Sequence, residues 1–164
     1  MKTVIKDLGI MRAENREEIY NIIPNRYPLM ILDELEVEPG IKAVSKKKLS
    51  KDDWFFECHY PDNPILPGCL IIESLTQVFS STFLSLLEEQ EIPVISRLGG
   101  TEPIVFKEGL TIGDTVRFEA QLSSFRRGIA KGHCTAIKET DNGDVIISDF
   151  DIVDMVTSQM IRPR

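Results

Sequence analysis

"CHYPDNPILPGCLIIESLTQ", residues 58–77, is the stretch on which the fold turns. Its first half holds His59, one of two histidines in the chain, followed by Pro61, Pro64 and Pro67. Each proline fixes φ, so the segment reads as a stiff loop. Pro67-Gly68 then opens a long apolar run, residues 69–90. There Leu70, Ile71, Ile72, Leu75, Val78, Phe79, Phe83, Leu84, Leu86 and Leu87 cover nearly every helical face, which predicts a helix buried in the centre of the molecule. Glu73 is a lone carboxylate within that apolar run, 73 − 59 = 14 positions after His59. Glu73 and Gln77 are four apart and share a face, and Ser80 and Ser81 extend it by one turn.

Upstream, residues 15–23 (NREEIYNII) predict a short helix capped by Asn15, with Glu17 and Glu18 at its positive end and Pro24 stopping it. Residues 29–38 and 41–50 predict two strands about a Pro39-Gly40 turn, followed by a loop over residues 52–67. Beyond Pro93, strands are expected over residues 94–98, 102–106, 115–124, 129–140 and 145–156, with turns at Gly113-Asp114 and Asn142-Gly143. One long helix with about five or six mostly sequential strands predicts an α+β fold, an antiparallel sheet wrapped around one long central helix. At 164 residues, 1–164 is expected to form a single domain.

Bulk properties exclude several function classes. The net charge is −7 and no long basic run occurs; Lys46-Lys47-Lys48 and Arg126-Arg127 are short. Phosphate contacts need clustered cations, so no nucleic-acid partner is expected. Cys58, Cys69 and Cys134 form no CxxC pair, and Cys58 and His59, being adjacent, would compete for one metal position. No metal is expected, and the odd cysteine count suits a reducing, cytoplasmic compartment. The first residues carry scattered charge and no apolar leader. Residues 65–87 are interrupted by Pro67-Gly68, Glu73 and Gln77, so a core helix is expected there and no membrane span.

The chemistry-bearing residues can be read together. A stiff loop holds His59 at a fixed distance from the helix start, and histidine is a usable base near neutral pH. The first helical N–H groups lack intrahelical partners and suit a carbonyl oxygen that gains negative charge. A carboxylate among apolar groups is a candidate acid. The Glu73 stripe also suits the wet side of a helix, and residue types alone leave both readings open.

Three segments carry a resemblance: "IPNRYPLMILDELEVEPG", "CHYPDNPILPGCLIIESLTQ" and "FRRGIAKGHCTAIKE". They resemble the bacterial beta-hydroxyacyl-acyl carrier protein dehydratases of the FabZ type, from about residue 22 to residue 155. His59, Pro61, Pro64, Pro67, Gly68, Leu70, Glu73 and Gln77 fall in register with that family's pattern. The resemblance implies a hot-dog fold and removal of water from beta-hydroxyacyl thioesters to give trans-2-enoyl thioesters, without a cofactor. It implies His59 as the base for the alpha proton and Glu73 as the acid for the departing hydroxyl. Gly68 would polarise the thioester carbonyl through its N–H, and Gln77 would orient Glu73 or a water. Pro67, Cys69, Phe79 and Phe83 are the further candidates for substrate contact. In the family the two catalytic side chains at one substrate come from different subunits, which implies a homodimer, often assembled as a trimer of dimers.

Departures from the pattern are specific. Asn25 stands where the family usually has His, Cys58 where it has Gly, and Tyr60 where it has Phe. Cys69 resembles the related bifunctional dehydratase/isomerase, but that enzyme carries Asp where this chain has Glu73. Lys107-Glu108-Gly109 replaces a basic family motif. The implied partner is an acyl carrier protein or carrier domain with a phosphopantetheine-linked acyl chain. Lys107, Arg126, Arg127 and Lys131 are the candidate docking cations, expected to be gathered by the FRRGIAKG hairpin. Two other readings of the same fold are a non-catalytic subunit that binds acyl thioesters and a hot-dog thioesterase; His59, Glu73 and the proline frame favour the dehydratase. For His133, a structural or solvent role is expected.

Overall fold

A computed structural model describes residues 9–87 and 94–158 of the chain. In chain order the elements are β1 (Met11–Ala13), α1 (Arg16–Ile19), β2 (Glu34–Glu38), β3 (Lys42–Lys48), a 3-10 turn (Trp54–Glu57), α2 (Gly68–Leu84), β4 (Val94–Thr101), β5 (Thr115–Arg126), β6 (Ile129–Glu139) and β7 (Val145–Ser158). The strands form one antiparallel sheet in the order β1-β2-β3-β5-β6-β7-β4. Its inner face wraps α2, giving the α+β hot-dog architecture expected. No helix among the described residues is long and apolar enough to cross a membrane.

α2 is central because its sequence leaves it no solvent face from the second turn on. Ser74, Leu75 and Gln77–Phe83 are all buried. Three polar residues in that run, Ser80, Ser81 and Thr82, satisfy their hydroxyls by donating to the carbonyls of Gln77, Val78 and Phe79 at 2.9, 2.7 and 2.7 Å. The sheet comes very close to the helix at Gly132. A Cβ there would lie 2.3 Å from the Phe79 ring and 2.2 Å from the Gln121 carbonyl oxygen, so only glycine fits.

Turn chemistry sets the sheet order. Arg127 and Gly128 both have positive φ, 53° and 77°, as a two-residue hairpin between β5 and β6 requires. Asn15 caps α1 by accepting from the Glu18 N–H at 3.0 Å, and Glu18 Oε2 accepts from the Glu14 N–H at 2.8 Å.

Three expectations are corrected, and one further element is found. α2 ends at Leu84, not near residue 90: the Leu86 and Leu87 N–H groups bond three residues back, to Phe83 and Leu84, which tightens the chain out of the α-helix. Residues 88–90 lie outside the described residues. Residues 102–106 form no strand: after the Glu102 N–H donates to the Asp151 carbonyl, Pro103 cannot donate to a ladder, and the chain meets β7 again at Lys107, whose N–H donates to the Ile147 carbonyl. The strand expected over 29–38 is only Glu34–Glu38; Met30, Ile31 and Leu32 are buried as irregular chain instead. β1, three residues in a charged context, was too short to leave a periodic signal.

Candidate active site

Burial anchors the loop that carries His59. Phe55 and Phe56, in the 3-10 turn, are buried, and the His59 N–H donates to the Phe55 carbonyl at 2.9 Å. On the far side Leu66 is buried, and its N–H donates to the Leu110 carbonyl at 2.7 Å. His59 itself is half-buried, stacked on Tyr60 with ring centroids 4.3 Å apart. Its Nδ1 lies 2.9 Å from the Ile65 carbonyl oxygen. A carbonyl only accepts, so Nδ1 carries the hydrogen, and the neutral ring keeps its lone pair on Nε2.

Glu73 projects from α2 into a cavity of about 350 Å³. Its polar wall is Asn25, Thr76, Gln77, Ser80 and Ser96; Pro24, Ile95 and Leu98 close the rest. Glu73 Oε1 accepts from Gln77 Nε2 at 2.7 Å and from Asn25 Nδ2 at 3.2 Å. The Gln77 side-chain oxygen is buried and has no hydrogen-bond partner among the described residues. His59 is not among the residues that line this cavity.

Gly68 is the first residue of α2, and no side chain caps that end. A Cβ on Gly68 would lie 2.8 Å from the Phe106 ring, so the absence of a side chain is what lets Phe106 lie across the helix start. Pro67 is half-buried as the N-cap, and Cys69 is an exposed free thiol. Phe79 and Phe83 lie elsewhere: both are fully buried, packed edge to face on each other, with Phe83 stacked on Phe125. They belong to the core and not to the wall of the Glu73 cavity.

Two carboxylate-linked residues escaped the sequence reading. Asp154 of β7 is fully buried. It accepts from the Ser96 hydroxyl and from the Met155 N–H. Burial pushes its carboxyl above the ordinary range, and the charge of Glu73 acts in the same direction. Strand parity could have exposed it: Asp149 and Asp151 alternate outward, whereas Asp154 falls on the inward set with Phe150 and Ile152. Asn25 registered in the sequence only as a departure from a family pattern, although it reaches Glu73 across 48 residues.

The four candidate docking cations are not all gathered in one place. Arg126 and Arg127 sit at the β5–β6 turn, where the Gly128 carbonyl accepts from the Val156 N–H, and Lys131 follows on β6. Lys107 is tied to Ile147, at the other end of β7. These two points on β7 are 156 − 147 = 9 positions apart, about 30 Å of strand. The hairpin therefore collects Arg126, Arg127 and Lys131 but not Lys107. Glu108 is paired within the chain, accepting from Lys138 Nζ at 3.0 Å.

Comparison with known proteins places the chain. A family model described as "FabA-like domain" matches residues 23–148. The 3-hydroxyacyl-[acyl-carrier-protein] dehydratase FabZ of Chloroflexus aggregans is 42% identical over 121 residues, 73% of this chain and 83% of that protein. The chain belongs to the FabZ dehydratase family. The FabZ of Roseiflexus castenholzii is 40% identical over 133 residues, 80% of this chain and 90% of the relative. Among solved structures, the dehydratase heterocomplex ApeI:P from Xenorhabdus doucetiae superposes with a TM-score of 0.70 at 13% identity, covering 86% of this chain and 91% of that one. A hypothetical thioesterase with coenzyme A from Streptococcus pneumoniae superposes at 0.58 with 10% identity, over 87% and 97% of the two chains. These two likenesses show the hot-dog fold alone; the kinship in sequence is with the FabZ dehydratases, which favours that reading over the thioesterase.

Proposed function

We propose that the chain removes water from 3-hydroxyacyl thioesters presented on an acyl carrier protein, with His59 as base and Glu73 of the partner subunit as acid. The observation that carries this reading is the Nδ1 contact of His59 with the Ile65 carbonyl, which leaves Nε2 as a fixed, basic lone pair. Nε2 takes the alpha proton. The electron pair moves onto the thioester carbonyl, whose oxygen is held by the Gly68 N–H at the positive end of α2. As the pair returns to form the alpha–beta double bond, Glu73 protonates the beta-hydroxyl, which leaves as water. His59 ends with one proton more and Glu73 with one fewer, and solvent resets both. Sharing the site between two copies of the chain fits the absence of His59 from the wall of its own Glu73 cavity. The Arg126, Arg127 and Lys131 group is assigned to docking the carrier.

His59→Ala and Glu73→Gln should each fold and lose roughly 10²–10⁴-fold in kcat, the scale of a general acid or base. Mixed and refolded together, the two dead variants should regain activity, followed as enoyl absorbance. Near-wild-type rates in either variant, or mixed dimers that form and stay dead, would overturn the assignment.

A further inference from the structure

The two oxygens of Glu73 are treated unequally. Oε1 accepts from both Gln77 Nε2, at 2.7 Å, and Asn25 Nδ2, at 3.2 Å. Among the described residues, nothing donates to Oε2, while the side chain lines the cavity. Two N–H donors occupy the lone-pair directions of one carboxyl oxygen and leave no favourable place there for a proton. Gln77 is a neighbour on the same helix, but Asn25 comes from a separate loop, and that loop is braced. Arg26 lies over the Tyr20 ring, 4.4 Å from its centroid. Its guanidinium donates to the carbonyls of Ile23 at 2.9 Å, Asn25 at 3.0 Å and Tyr20 at 3.2 Å. The Tyr27 N–H donates to the Tyr20 hydroxyl at 3.1 Å.

We propose that Asn25 is a positioning residue for the acid: with Gln77 it pins Glu73 Oε1, so that the proton delivered to the leaving hydroxyl is carried on Oε2, facing the cavity. An amide suits this task because it donates through Nδ2 and neither gains nor loses a proton over the working pH range. The other carboxylate coupled to Glu73 is Asp154 of β7, and it is held by Ser96 and the Met155 N–H, leaving the amides of Asn25 and Gln77 to fix the geometry of Glu73.

The inference rests on Glu73 being the acid, and the experiment separates the two. Steady-state rates against pH would be measured for Asn25→Ala, the near-isosteric Asn25→Asp and Asn25→His, beside Glu73→Gln. Asn25→Ala should lower kcat roughly tenfold, about the worth of one ordinary hydrogen bond, with KM nearly unchanged. Asn25→Asp, which replaces the donor by an acceptor, should lose more. Asn25→His should give kcat a new inflection near neutral pH, where imidazole titrates and the wild type has no such group at this position. If Glu73→Gln is inactive while Asn25→Ala and Asn25→Asp keep wild-type kcat and pH profiles, the positioning role is wrong and the acid assignment stands. A loss confined to KM would make Asn25 a substrate contact and would equally overturn it. A fully active Glu73→Gln would remove the premise itself.

Discussion

His133 lies on the outer face of the sheet between two carboxylates of β7, with Nδ1 2.7 Å from Asp151 Oδ1 and Nε2 on Asp149 Oδ1. Both ring nitrogens donate only when the ring is charged. The hydrogen bond to Asp151 raises its proton affinity most; burial opposes it, and the Asp149 carboxylate adds to the rise. The folded value is thus above the unfolded one. The stabilisation is complete below the unfolded value, near 6.5, and is lost as pH rises through the raised folded value. The side chain is 44% exposed, so solvent screening holds the effect to about 1 kcal/mol or less. Urea midpoints at pH 5.5 and 8.5 should differ more in the wild type than in His133→Gln; an equal pH dependence in both would show the pair to be idle. The sequence led to the expectation of a structural or solvent role for this residue, and its contacts are two surface ion pairs. His59, Gly68 and Glu73 stand out as candidates in the sequence because their residue types, spacing and flanking prolines are local. The Asn25–Glu73 bond and the Asp154–Ser96 pair were not, since each joins distant segments and leaves no local pattern.

At the scale of elements, β6 comes close to α2 where Gly132 faces the Phe79 ring. Gly132→Ala must displace the ring or the β5 backbone, and overpacking of this kind costs about 1–3 kcal/mol. Phe79→Leu in the same chain should recover part of that loss, because it removes the atoms the new methyl meets; additive losses in urea denaturation would show that the clash is with the Gln121 carbonyl alone. α2 was legible from its apolar run and its Pro67-Gly68 entrance. Its end was not, because Leu86 and Leu87 continue the apolar pattern in sequence while the backbone has already tightened. The strands β5, β6 and β7 were found within two residues of their ends, since alternation and turn residues agree there. Residues 102–106 have the apolar content of a strand, but Pro103, second in the segment, removes a ladder donor.

For the whole molecule, the net charge of −7 opposes an acidic partner at long range, so attraction must come from a local patch. The two points on β7 beside which the cations lie are about 30 Å of strand apart, beyond the screening length of about 8 Å at physiological salt, and this makes two independent patches. Arg126→Glu with Arg127→Glu should lower kcat/KM for a carrier-bound substrate and spare a short pantetheine thioester. Lys107→Glu should act additively with that pair. Equal loss on both substrate forms would mean that the arginines support the fold or the acyl tunnel. A loss for Lys107→Glu that vanishes in the triple variant would mean that the ends are coupled.

The position of α2 in the chain also has a consequence in loop entropy. Lys138 and Val145 pair across 145 − 138 = 7 positions, whereas Lys48 and Thr115 pair across 115 − 48 = 67, with the whole central helix inside that interval. Closing the longer loop costs about 2 kcal/mol more chain entropy than closing the shorter one. The β5–β6–β7 meander can therefore gain pairing energy with little ordering of the chain. The β3–β5 ladder cannot close without bringing His59 and Glu73, which lie inside the same loop, into the compact structure along with the helix.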